Sequence, residues 1–202
     1  YLISDFKPSK KYVFEDNAYF KTNTTARSNG VIAQTGLKMI KPKIKHNVAV
    51  APVDGDFGNA IRIGTYRQAN DLNVSVHDVE IFEPEIQLLS ATNMGQGFEI
   101  LGNAYNVTIA RPKIYGKGFG IIAHWGGDVA DDGHLSTVTY SYHPHDIEIV
   151  DPDFSSTSTD ATGRMQTGLI LSACYDVEVT NVKSDGLVST VYNFVGDVYN
   201  QV

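Results

Sequence analysis

Five stretches of this chain can be laid under one another with one inside/outside pattern, and that repeat restricts the possible folds more than any single residue does. They start at Leu37-Lys38-Met39, Val74-Ser75-Val76, Val107-Thr108-Ile109, Ile147-Glu148-Ile149 and Val177-Glu178-Val179. Each apolar-polar-apolar triplet is followed by a bend and a second anchor, at Ile44, Ile81, Ile114, Phe154 and Ser184. The starts lie 37, 33, 40 and 30 residues apart, in the range where self-similarity signals a solenoid or array. Apolar residues two apart describe a half-buried strand, since a helix would space them by three or four.

Further apolar segments precede most triplets, usually after glycine: Gly30–Ala33, Asn59–Ile63, Gly97–Ile100, Gly118–Ile122 and Gly168–Leu171. Each coil therefore holds about three short strands, with no helical stretch between them to act as a crossover. The expected fold is all-β, a right-handed parallel β-helix of about five coils, each covering the apolar face of the next. Outward positions give an independent check on register. The columns Lys43, Glu80, Lys113, Asp153, Lys183 and Lys41, Asp78, Arg111, Asp151, Asn181 alternate in sign, apart from the final asparagine. Neighbouring rungs lie about 4.8 Å apart, where unlike charges are favourable. Such ladders are register and solubility devices, so neither column is assigned to a site.

A chain of 202 residues with 42% hydrophobic content supports one elongated domain. Residues 1–29 lack the repeat and read as lead-in strands, with the β-helix running over 30–202. A net charge of −7 without a basic stripe argues against nucleic acid or anionic lipid as a partner. No apolar run approaches the roughly 20 residues needed to span a bilayer. The single cysteine, Cys174, sits in an apolar strand and reads as core. The chain opens at Tyr1 without methionine and closes at Val202 without an evident cap. A piece of a longer chain, or a protomer of a homotrimer or larger assembly that covers its edges, is the expectation.

The segment Ala123–His145 fills the longest of these spacings and is chemically dense, holding Trp125, four of six histidines, three acids, Tyr140 and Tyr142. Insertions in repeat proteins map to loops on one face, often the binding face. An aromatic face can stack on a pyranose while acids and imidazoles bond hydroxyls or move protons. Strand alternation turns Ile61, Ile63, Phe98, Ile100, Phe119 and Ile121 inward, which leaves Arg62 and Glu99 pointing outward on adjacent coils beside His124. The candidate catalytic groups are Glu99, His124, Asp128, Asp131 and Asp132. Arg62, Tyr66, Arg67, Trp125, Tyr140, Tyr142 and His143 are the candidate substrate contacts.

Three chemistries fit these residues. A hydrolase would pair Glu99 with one of the three aspartates. A lyase acting on a uronic acid would use His124 or Tyr140 as base and Arg62 or Arg67 to stabilise the enolate. Asp128, Asp131 and Asp132 offer the oxygen ligands of Ca²⁺ but lack the twelve-residue loop and its closing glutamate. His124, His134, His143 and His145 do not form a zinc signature. No metal or other cofactor is expected, with Ca²⁺ the nearest candidate.

The pieces Asn73–Ile81, Gly97–Ile109 and Tyr175–Lys183 resemble the degenerate coil repeat of pectate-lyase-like right-handed β-helix proteins, over roughly Gly30 to Ser189. That resemblance implies activity on acidic or complex polysaccharides, by lyases, hydrolases, epimerases or trimeric bacteriophage tailspikes. No subfamily's catalytic motif matches residue by residue, so no catalytic assignment follows from it. The expected function is a polysaccharide-degrading domain, tailspike-like and extracellular or virion-associated. A glycan-binding adhesin module and a purely structural fibre segment are the rivals.

Overall fold

The computed structural model describes residues 12–14, 19–24, 29–48, 58–64, 75–89, 95–124, 143–156 and 163–201. These form a parallel β-helix of six coils with no helix among them. The first coil holds β1 (Tyr12–Phe14), β2 (Tyr19–Thr24) and β3 (Asn29–Ala33), and the second β4 (Leu37–Ile40), β5 (Lys43–Val48) and β6 (Gly58–Gly64). The third holds β7 (Ser75–Phe82), β8 (Glu85–Leu89) and β9 (Gly95–Leu101), and the fourth β10 (Asn103–Ala110) and β11 (Lys113–His124). The fifth runs through β12 (His145–Val150), β13 (Asp153–Ser155) and the first half of β14 (Met165–Thr180). The sixth takes the rest of β14, β15 (Lys183–Ser184) and β16 (Thr190–Gln201). Because β1 and β2 pair in parallel with β4 and β5, the stack already includes Tyr12–Phe14 and Tyr19–Thr24.

Strands at the same place in successive coils pair in parallel and build three sheets. Each sheet contributes an internal ladder of like residues. In the first sheet it is Met39, Ile81, Ile109, Ile149 and Val179. In the second it is Ile44, Ile86, Ile114 and Phe154, and in the third Ile61, Phe98, Ile121 and Leu169. Nearly all are fully buried and belong to one continuous core. Burying each such side chain stabilises by about 1.5–3 kcal/mol, so stacking like on like supplies the driving force that a single coil lacks.

The corner between the first and second sheets explains the recurring proline. Lys41, Glu83, Arg111, Asp151 and Asn181 all adopt φ of 50–52°. Pro42, Pro84, Pro112 and Pro152 follow the first four. A left-handed non-glycine residue costs about 1–2 kcal/mol, and here the ladder continues around the bend to offset it. The Lys41, Glu83 and Arg111 amides donate to the Phe82, Ala110 and Val150 carbonyls at 2.7–2.8 Å, and the carbonyls of Pro42 and Pro84 accept from Glu85 and Lys113.

That corner corrects the second repeat. Met39 pairs with Ile81, and Val79 with Val107. The triplet in phase is therefore Val79-Glu80-Ile81, five residues after the one starting at Val74. The charge columns are corrected with it, to Lys41–Glu83–Arg111 and Lys43–Glu85–Lys113. Their alternation persists: Glu83 meets Arg111 at 2.9 Å and Lys41 at 3.6 Å, and Lys43 lies 4.0 Å from Glu85. The Arg111 guanidinium, first, and Lys41 hold the Glu83 carboxyl below its ordinary range. The widest gap between repeats now falls between the first and second, where residues 49–57 and 65–74 intervene.

Strict alternation also fails in the third sheet, and sterics show why. Gly120 lies against the core aromatic Phe154, and a Cβ there would come within 2.5 Å of its ring. The chain thus turns two neighbouring positions, Gly120 and Ile121, toward the interior. A register shift between Gly118 and Phe119 accompanies this turn, and Phe119, expected inward, is only half-buried. Such an irregularity re-aims side chains.

Candidate functional site

The outer face of the third sheet carries the polar residues that strand alternation singles out. Arg62 on β6 pairs in register with Glu99 on β9, and Leu101, two residues further along, pairs with His124 at the end of β11. Residues diagonal across adjacent strands are within reach of long side chains. The His124 Nε2 and Glu99 Oε1 atoms accordingly lie 3.1 Å apart. The second Glu99 oxygen accepts a hydrogen bond from Asn59 Nδ2 at 2.5 Å.

This face is not an open groove floor. Glu99 is 1% exposed, Asn59 and Gln96 are equally buried, and the outward-facing Leu101 and Ile122 are buried as well. Desolvating a carboxylate costs several kcal/mol unless hydrogen bonds replace water, and Asn59 and His124 provide those bonds. Gln96 pairs in register with Asn59, and its buried Oε1 finds no partner among the described residues. A buried acceptor left in that state costs about 1–3 kcal/mol. His124 differs from its neighbours: 29% of its side chain reaches solvent. The cluster therefore runs from a buried carboxylate to an imidazole at the rim, with the Arg62 guanidinium one coil away.

An ionised Glu99 can only accept, so it fixes the proton of a neutral His124 on Nε2 and leaves the accepting lone pair on Nδ1. A carboxylate held this way orients an imidazole, while the imidazole is the group placed to exchange a proton with a bound molecule.

The remaining sequence candidates divide in two. His143 is described, is 2% exposed, and lies two residues before the start of β12. Tyr66, Arg67, Trp125, Asp128, Asp131, Asp132, Tyr140 and Tyr142 lie outside the described residues, as does His134. Among the described residues no three of His, Cys, Asp and Glu gather where a metal ion could be held. Nor, among them, is any helix long and apolar enough to cross a membrane. Cys174 is buried, and burial pushes its thiol up to about 12, a state with no nucleophilic thiolate at neutral pH.

Strand alternation picked out Glu99, His124 and Arg62, but it missed Asn59. A polar side chain directly before the apolar pair Ala60-Ile61 was the available signal, repeated one coil on by Gln96 before Gly97-Phe98. A search for related proteins found no family model, no curated protein and no solved structure that matches the chain.

Proposed function

We propose that the chain acts on a polysaccharide at the outer face of its third sheet, with His124 moving the proton and Glu99 positioning it. The observation that carries this reading is the 3.1 Å contact between a buried carboxylate and a rim imidazole. The parallel β-helix and the coil-level resemblance to pectate-lyase-like proteins supply the substrate class by analogy of fold. A hydrolase would require Glu99 itself to meet the glycosidic oxygen or the anomeric carbon, and its burial opposes that role. A lyase fits better. His124 Nδ1 takes the C5 proton of a uronate, the electron pair forms the C4–C5 double bond, and the C4–O bond breaks with its pair on the leaving oxygen, which takes up a proton from water to release the sugar. Arg62, paired in register with Glu99, is the cation that would stabilise the carboxylate-derived enolate. The reading extends to an extracellular or virion-associated depolymerase working within a homotrimer or larger assembly.

The test is incubation with plant and bacterial uronate-containing glycans while following the ultraviolet absorbance of unsaturated uronates. Wild-type chain should generate that absorbance. His124→Gln should lower kcat by about 10²–10⁴-fold with KM little changed. Glu99→Gln should lower kcat while the folded state persists in a thermal melt. Absence of product across the panel, or unaltered kcat in His124→Gln, overturns the proposal.

A further inference from the structure

A second polar recess lies on a different wall of the solenoid, the outer face of the first sheet, and it arises where a regular column ends. Asp78, Asn106, Asp146 and Asp176 occupy one corner position on four successive coils, each with φ between 50° and 57°. Beside them the rings of His77, Tyr105, His145 and Tyr175 stack in sequence, with centroids 4.7, 5.2 and 4.7 Å apart. Extended two residues back from the paired Lys38 and Glu80, the same register sets Gly36 opposite Asp78. Gly36 keeps the left-handed backbone, at φ 78°, and its amide donates to the His77 carbonyl at 3.0 Å. It contributes no side chain.

The space this leaves is a groove of about 370 Å³ lined by Gly36, Leu37, Lys38, Asp78, Glu80, Asn106 and Thr108. That volume is within the range of small-molecule sites, but the lining is polar where most such sites are apolar. The polar groups are held in place. Lys38 Nζ sits 2.6 Å from Glu80, Asn106 Nδ2 donates to Asp78 Oδ1, and Asp78 Oδ2 lies 3.0 Å from His77 Nδ1. Fixed polar groups lose little freedom when a ligand arrives.

We infer that this groove binds a neutral, hydroxyl-rich saccharide unit. A hydroxyl both donates and accepts, so a sugar ring can meet an ammonium, two carboxylates, an amide and another hydroxyl at once. A polyanion would face Asp78 and Glu80, with Glu148 on the next coil paired to Thr108. A uronate polymer is thus disfavoured here, whatever happens at the third sheet. The groove is independent of the His124 site and its chemistry, and it stands or falls separately from the proposed lyase activity.

Gly36→Asn is the informative variant. Asparagine tolerates the left-handed conformation and would restore the column occupied by Asp78 and Asn106, filling the groove while keeping the fold. The experiment is a ¹H–¹⁵N titration of the whole chain with cellohexaose, maltohexaose and chitohexaose, with hexagalacturonate as the charged comparison. At least one neutral oligomer should shift the Gly36, Lys38, Asp78, Asn106 and Thr108 amides. Gly36→Asn should weaken that binding at least tenfold without lowering the melting temperature. Thr108→Trp should do the same from the opposite wall. The inference is overturned if none of the neutral oligomers moves those amides, if the shifts appear only around Glu99 and His124, if hexagalacturonate moves them equally, or if both variants bind as tightly as wild type.

Discussion

The outer faces of the first and third sheets are built by the same alternation, yet they meet water in opposite ways. On the first sheet, outward Lys38 and Glu80 leave 40% and 47% of their side chains exposed and pair across neighbouring coils. On the third, outward Glu99, Leu101 and Ile122 are buried, and the polar groups among them bond to one another. A solenoid coil thus defines only its inner side. The outer side is a solvated ladder on the first sheet and a buried surface on the third, where desolvated polar groups are concentrated.

The sharpest way to break this comparison is to make one substitution on both faces. Glu99→Lys would leave a buried ammonium beside His124 and Arg62 and should destabilise by about 3–5 kcal/mol or prevent folding. Glu80→Lys loses one exposed pair and should cost under about 1 kcal/mol. Urea midpoints that coincide for the two variants would show that the faces are alike.

The interior offers a probe that neither face shares. His46 is fully buried, and desolvation, partly offset by a hydrogen bond with the Gly58 backbone, lowers its pKa from 6.5 to about 4. A base whose folded pKa is depressed favours folding above its unfolded value, because only the unfolded chain gains the proton as pH falls. Stability should decline between about pH 6.5 and 4, by about 3 kcal/mol in total. His46→Leu should flatten that part of the profile, and an unchanged slope would refute the assignment.

Next in size, Glu99→Gln should cost about 1–3 kcal/mol, since the amide can satisfy only part of what Asn59 and His124 present to the carboxylate. An unchanged melting temperature would argue that this face is more solvated than it looks. The smallest effect belongs to the ladders. Raising salt to 1 M shortens the screening length to about 3 Å. The urea midpoint of wild type should therefore fall more than that of Glu83→Gln, which has already lost its pairs with Lys41 and Arg111.

Much of the fold was legible because it is written in repeats, and the points where reading failed have particular causes. Val74-Ser75-Val76 and Val79-Glu80-Ile81 carry the same triplet, so hydrophobicity alone cannot choose between them. Pro84 can, because it continues the column Pro42, Pro112, Pro152 and ties the second triplet to the corner. Phe119 misled alternation because Gly120 lets the chain approach Phe154 and slip its register. The burial of Glu99 was not legible at all. Alternation reports which side of a strand faces the core and carries no information on how far the opposite side is covered. The polar recess at Gly36 was equally silent, since it consists of a side chain missing from a column that only the correct register reveals.

The sign pattern in the corner column carries a rule about length. Lys43, Glu85, Lys113, Asp153 and Lys183 alternate from one coil to the next. Deleting or duplicating one internal coil would set like charge on like at the single junction it creates, whereas removing or adding two neighbouring coils would keep every contact unlike. The wall thus carries a mild preference for parity, and internal changes of length should be best tolerated in pairs of coils, by up to about 1 kcal/mol for the one exposed contact at stake.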